Sequence, residues 1–152
     1  RSIRDRFGGL HTQLSARETA DFLTSPHEAL AAIILFDQFS RNLFRGDPRS
    51  FASDPLALNI ARQMVAKDWD QSIAQEGRIF VYLPFEHSED LGDQNRSDEL
   101  IEALGDDTFT RYARAHRDVV TEFGRFPHRN TILGRASTRA EMAYLQKPGS
   151  GF

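Results

Sequence analysis

Three short stretches of this 152-residue chain gather side chains able to hold or move charge. In the first, the apolar run Leu30-Ala31-Ala32-Ile33-Ile34-Leu35-Phe36 passes directly into Asp37-Gln38-Phe39-Ser40-Arg41-Asn42-Leu43-Phe44-Arg45. Read as one helix, this sets Asp37, Arg41 and Arg45 in one row and Gln38 and Asn42 in a second, each at i, i+4. A helix that is apolar all round is a buried helix. Polar groups that continue such a run enter a core only when they are paired or line a cavity. Amides and guanidiniums in that position suit the holding and orienting of an anion. The plainer account is a satisfied polar network that fixes helix packing.

The second stretch is Tyr82-Leu83-Pro84-Phe85-Glu86-His87-Ser88-Glu89, where a proline-broken helix end is followed at once by titratable groups. His87 and Glu89 are candidates for an acid/base pair, against the plainer role of a capping or packing histidine. The third is Gly124-Arg125-Phe126-Pro127-His128-Arg129-Asn130. Pro127 can open a helix whose free N–H groups attract anions, with His128 and Arg129 in that first turn and Asn130 next. Otherwise Phe126 and Pro127 lock a tight turn and Arg129 bonds a neighbouring helix.

Recognised catalytic signatures are missing. His116-Arg117-Asp118 resembles a kinase triplet, but the asparagine, the glycine-rich loop and the Asp-Phe-Gly that should accompany it are not there. Neither a nucleophile elbow, a phosphate loop nor a dinucleotide fingerprint occurs. A metal site would have to gather Asp37, His87, Glu89 and His128 from separate segments; the sequence assigns neither a metal nor a cofactor.

The elements that must position these residues read as helices nearly throughout, with no hairpin signal and no period-two runs. Ser25-Pro26-His27-Glu28 is a helix start, with a serine cap, proline in the first turn and glutamate three residues on. Asp54-Pro55 repeats that logic ahead of Leu56–Lys67. Gly46-Asp47-Pro48 closes the central helix. Further helices are expected over Ile3–Leu14, Ala16–Leu23, Gln75–Leu83 (stopped by Pro84), from Ser88 or Asp93 to Leu104, over Asp107–Phe123 and Pro127–Leu133, and from the Thr138 capping box to Gln146. Short loops between them imply antiparallel helical hairpins. Ile33, Ile34, Phe36, Phe39, Phe80, Phe85 and Phe123 are the expected core.

Length allows one helical domain with a sizeable core over 1–152. The net charge of -3 offers no field for nucleic acid. No apolar stretch nears the ~18 residues of a membrane span. Cysteine is absent, which suits a reducing, cytoplasmic setting. All but Lys67 and Lys147 of the 19 basic residues are arginine, leaving 17. Charge is uneven along the chain. Nine acids lie in Glu86–Asp107 against Arg96, while Phe123–Ala140 holds Arg125, Arg129, Arg135 and Arg139 with no acid. The two segments are expected to face each other or solvent.

The motifs Phe36-Asp37-Gln38-Phe39-Ser40-Arg41-Asn42-Leu43-Phe44-Arg45-Gly46, Tyr82 to Leu91, Phe123 to Asn130 and Leu133 to Thr138, with the closing Gly151-Phe152, resemble in order those of the bacterial family known as domain of unknown function 924. The resemblance spans nearly the whole chain. It implies a tetratricopeptide-like array of helical hairpins and no established activity. No tetratricopeptide consensus is visible in the sequence itself. The aromatic segment with which such proteins usually begin is missing, so the chain is expected to lack its native front.

Together these readings give an all-α domain around a buried central helix, with a polar, arginine-rich cleft. Arg41, Arg45 and Arg129 would hold a small anionic ligand or the acidic end of a peptide, and Gln38, Asn42 and Asn130 would orient it. A hydrolase using His87 or His128 with Asp37 or Glu89, and a protein-binding scaffold, are the rivals. Oligomeric state is left open.

Overall fold

In the structure, a computed structural model that describes residues 3–152, every regular element is helical, and no strand occurs among the described residues. The all-α expectation holds. No helix is long and apolar enough to cross a membrane among the described residues. The helices are α1 Ile3–Ser15, α2 Pro26–Ile33, α3 Ser40–Leu43, α4 Arg49–Ala52, α5 Asp54–Ala66, α6 Gln75–Glu86, α7 Leu91–Glu102, α8 Asp107–Phe123, α9 Asn130–Leu133 and α10 Arg139–Leu145. Single turns of 3-10 helix lie at Thr19–Phe22, Trp69–Ser72 and Pro127–Arg129. Successive elements pack in chain order, α2 on α5, α5 on α6, α6 on α7 and α7 on α8, which is compatible with helical hairpins.

Side-chain caps set the starts of α2, α7, α8 and α10. Ser25 accepts the Glu28 N–H at 3.2 Å, with Pro26 behind it. Asp90 and Asp106 cap α7 and α8, and Thr138 and Glu141 form a reciprocal capping box at α10. Gly124 takes φ +73 at the end of α8, a left-handed stop that a side chain would strain. At α5 the start is different. The Ser53 hydroxyl turns away to the Phe36 carbonyl and the Asp54 carboxylate goes to Arg41, so neither caps the helix. Helix α6 also outruns its expected stop, passing through Pro84 to Glu86 with His87 N–H bonded to the Leu83 carbonyl at 2.9 Å. The stretch Ala16–Leu23 makes only a 3-10 turn.

Between α2 and α3 the central helix widens into a π turn over Ile34–Phe39. Such a turn spreads the backbone ladder and exposes carbonyls that need new donors. The Phe36 carbonyl takes the hydroxyls of Ser40 (2.7 Å) and Ser53 (2.8 Å), and the Asp37 carbonyl takes Arg41 Nη1 at 2.7 Å. His11 on α1 completes the patch at 2.6 Å from Ser40 Oγ. The wide turn also rotates Phe39 off the buried face. Phe39 is 45% exposed, contrary to its expected place in the core, whereas Phe36 three residues earlier is fully buried.

The core lies between α2, α5 and α6. Ile33, Phe36, Ile60, Met64, Val81 and Phe85 are among its buried residues. Phe36 meets Phe22 edge-on at 5.1 Å. Ile34, Phe80 and Phe123 are only partly covered, Phe123 in a separate small cluster with Val119, Val120 and Phe126. The acidic and basic segments meet mainly through Glu89 and Arg135. The acids of α7 pair instead with α5 and α8: Asp93 with Arg62 at 2.6 Å, and Asp98 with Arg114 and Arg117.

Candidate functional site

The central helix delivers Asp37 to a position behind the residues that line the site, almost completely buried. Its Oδ1 lies 2.7 Å from His87 Nδ1 and 3.2 Å from Arg41 Nη1, and its Oδ2 accepts Gln38 Nε2 at 2.6 Å. Burial alone would raise the pKa of this carboxyl. The opposing charge and hydrogen bond of His87, with the Arg41 guanidinium, outweigh burial and hold the pKa below its ordinary value. Arg41 then forks onto Asp54, Nη1 to Oδ1 at 2.9 Å and Nη2 to Oδ2 at 3.0 Å. Its donors are therefore committed to two carboxylates, which corrects the expectation of a free anion clamp at Arg41.

Arg129 enters from the 3-10 turn after Phe126. It is 6% exposed, its guanidinium 4.4 Å from the Phe51 ring centroid and 4.8 Å from that of Phe126. Nη2 donates to the His87 carbonyl at 2.9 Å, Nη1 stands 3.8 Å from Asp54, and Nε is buried without a partner. His128 Nδ1 is likewise buried and unpartnered, and burial with the nearby Arg129 charge lowers the His128 pKa to about 4.

These groups surround a cleft of about 520 Å³. Gln38, Arg41, Asn42, Arg45, His87, His128 and Arg129 all line it, so the three motifs do converge. Asn42 and Arg45 stand exposed at the rim, 3.4 Å apart through Arg45 Nη2 and Asn42 Oδ1. Phe51, Tyr112, Phe126 and Phe152 supply aromatic wall. The lining holds three arginines and three histidines and no acid. A second hollow of about 510 Å³, containing Asp54 and Glu89, adjoins it through Phe51, His87 and Arg129.

Two expected site residues serve the frame instead. Glu89 forks onto Arg135 at 2.8 and 3.0 Å and accepts the Phe126 N–H at 2.7 Å, fastening the Phe126 turn to the start of α7. It does not reach His87 as an orienting acid. Asn130 spends its Nδ2 on Ser137 (3.1 Å) and Glu141 (3.3 Å) and its Oδ1 on Arg135 (3.0 Å), behind the cleft wall.

Three residues of the site escaped sequence reasoning. Asp54 looked like a helix start. In the sequence Glu86 stands beside His87 without a role and His116 falls only in a rejected kinase-like triplet, yet both are buried and His116 Nε2 stands 4.0 Å from Glu86 Oε2. Burial drives the Glu86 pKa up to about 7 and that of His116 down to about 3. The signal for His116 was its spacing with Ala113 and Val120, which puts it on the buried face of α8. With Asp37 and Arg41 nearby, Glu86, His87 and His116 form a group of ligand-type atoms all within 4.8 Å of one another.

Fold and site thus define a class: an all-helical protein with buried charge networks behind a cationic, aromatic-walled cleft. The chain belongs to the family of bacterial proteins of unknown function called domain of unknown function 924, which it matches over residues 1–149. It is similar to the solved structure of a protein of unknown function from Agrobacterium tumefaciens, with a TM-score of 0.87 and 42% identity over 95% of this chain and 81% of that one. No curated protein matches it.

Proposed function

We propose that the cleft binds a small organic anion whose carboxylate or phosphate meets the Arg45, His128 and Arg129 side and whose apolar body lies on the aromatic wall. The observation that carries this reading is the lining itself: three arginines, three histidines and no acid around about 520 Å³. Buried Nε of Arg129 and Nδ1 of His128 add two polar atoms without protein partners. Gln38 and Asn42 present amides for orientation. The helical array would be the frame for that cleft, and a reducing, cytoplasmic setting suits a chain without cysteine.

Calorimetric titration with inorganic phosphate, phenyl phosphate and benzoate tests the reading. Saturable binding that favours the aromatic probes over phosphate and weakens about tenfold in Arg45→Gln, with an unchanged melting temperature, is the expected result. Arg45 is the residue to change because it is exposed, whereas Arg129 is buried and stacked. Equal, non-saturable heats for all three probes would end the proposal.

A second reading rests on the Asp37–His87 contact of 2.7 Å. A carboxylate on Nδ1 orients the ring and leaves Nε2 as a base for a substrate proton, as hydrolases require. Turnover of an ester or phosphoester, lost in His87→Gln with binding retained, would favour it.

A further inference from the structure

We propose that Glu86, His87 and His116 form a site for one divalent transition-metal ion of the Zn(II) or Fe(II) type, opening into the cleft. The reading stands apart from anion binding, since it concerns the apo cleft and needs no other ligand. Three features of the cluster point to it.

The first is the state of the two rings. His116 Nδ1 lies 2.7 Å from the Tyr112 carbonyl, which can only accept, so that nitrogen carries the proton and Nε2 keeps its lone pair. His87 Nδ1 lies 2.7 Å from the Asp37 carboxylate, which fixes the same tautomer. A backbone carbonyl on one ring and a carboxylate on the other are the outer contacts that metal-bound histidines make, and they orient both Nε2 atoms in advance. The Phe152 ring stacks on His116 at 3.7 Å and 21°, holding its plane.

The second is Glu86. Its side chain is buried at the end of α6 and forms no hydrogen bond among the described residues; its ion contact is His116 Nε2 at 4.0 Å. A buried carboxylate without a donor is costly unless a cation arrives. The surrounding charges leave room for one: Asp37 and Asp54 already match Arg41 and Arg129, so no cation of the fold is left for Glu86 when it ionises.

The third is geometry. One ligand-type atom from each of the three residues lies within 4.8 Å of the others, with His116 Nε2 at 4.0 Å from Glu86 Oε2. Donors at about 2.0–2.2 Å from a tetrahedral ion stand roughly 3–4 Å apart, so small side-chain rotations close the site. Two imidazoles and one carboxylate, without thiolate, select a borderline transition metal and supply too few oxygens for calcium or magnesium. Both histidines line the cleft, so the remaining coordination positions face the space a ligand would enter. A metal would take the Nε2 that a free His87 base needs, so metal ligation and direct base catalysis by His87 exclude each other.

The test uses the whole chain stripped with EDTA and no added anion. Zn(II) titration by calorimetry should give one site at micromolar affinity or tighter. Co(II) should give the strong visible absorption of a four- or five-coordinate ion. Glu86→Gln and His116→Gln should each weaken Zn(II) at least a hundredfold. Asp37→Asn, which keeps the outer contact to His87 but removes its charge, should weaken it about tenfold. His27→Gln, a surface histidine, should leave it unchanged. Absence of saturable Zn(II) binding below millimolar, an octahedral Co(II) spectrum, or equal affinity in folded Glu86→Gln and His116→Gln would each overturn the site. The Co(II) spectrum of the unaltered chain decides the matter where a variant fails to fold. Phenyl phosphate titrated in EDTA separates the two readings: anion binding without Zn(II) binding removes only the metal site, and the reverse removes only the anion cleft.

Discussion

Replacing Asp37 tests whether the buried charge network holds the site together. In Asp37→Leu the branched outline of the side chain is kept, but His87 Nδ1–H and the Gln38 amide lose their acceptor, and Arg41 loses one of its two carboxylates. Removing one partner of a buried pair costs about 3–5 kcal/mol, because the charge left behind is uncompensated. Arg41 retains its fork on Asp54 at 2.9 and 3.0 Å, which places the loss near the lower end, about 3 kcal/mol. Asp37→Asn is milder. Its Oδ1 can still serve His87 and Arg41, and the Gln38 amide can turn over so that its oxygen meets the new Nδ2. Only the charge term is lost, about 1–2 kcal/mol, as for one charge-assisted hydrogen bond. Urea unfolding at neutral pH in EDTA reads both values. For a chain of this size, 3 kcal/mol corresponds to a melting shift of roughly 6–12 °C. A loss below about 1 kcal/mol in Asp37→Leu, or equal losses in the two variants, would refute the idea that this carboxylate organises His87 and Arg41.

Phe36→Ala should cost about 3–5 kcal/mol in the same assay, since the ring is fully buried and packs edge-on against Phe22; a loss under 1 kcal/mol would contradict its place in the core. Arg129→Ala should lower the melting temperature by several degrees, roughly 2–4 °C per kcal/mol lost, because the side chain is stacked between Phe51 and Phe126 and bonded to His87; an unchanged melting temperature would show that the stack carries no stability. His128, neutral in the fold with its pKa lowered from 6.5 to about 4, binds its proton more readily when unfolded. Its contribution is therefore fully present above pH 6.5 and is lost as pH falls toward 4, so His128→Gln should flatten the stability profile across that window and leave it unchanged above pH 7. Glu89→Gln should loosen the Phe126 turn and speed amide exchange at Phe126, whose N–H it accepts at 2.7 Å; unaltered exchange there would place the fastening elsewhere.

Helix class and most boundaries were legible because they depend on neighbours in sequence. Ser25, Thr138 and Gly124 act within a few residues of themselves, and their chemistry is the same whatever packs against them. The buried run ending in Asp37 was legible for the same reason: apolarity on all sides leaves a helix nowhere to go but inside. That three distant motifs share one cleft followed from each having polar groups beside an apolar run or a helix break. Tertiary structure alone decided which polar group pairs with which. Asp54 and Ser53 carry a helix-start signature, yet their side chains serve Arg41 and Phe36 on another helix, because the π turn of the central helix exposes carbonyls and charges that need partners more than the α5 terminus does. The same turn put Phe39 outside the core, and no local pattern announces an extra residue in a turn. Glu86, His87 and His116 meet only because α6 and α8 pack together, so their common focus, with the burial of Glu86 and His116, is a property of the fold and not of any segment.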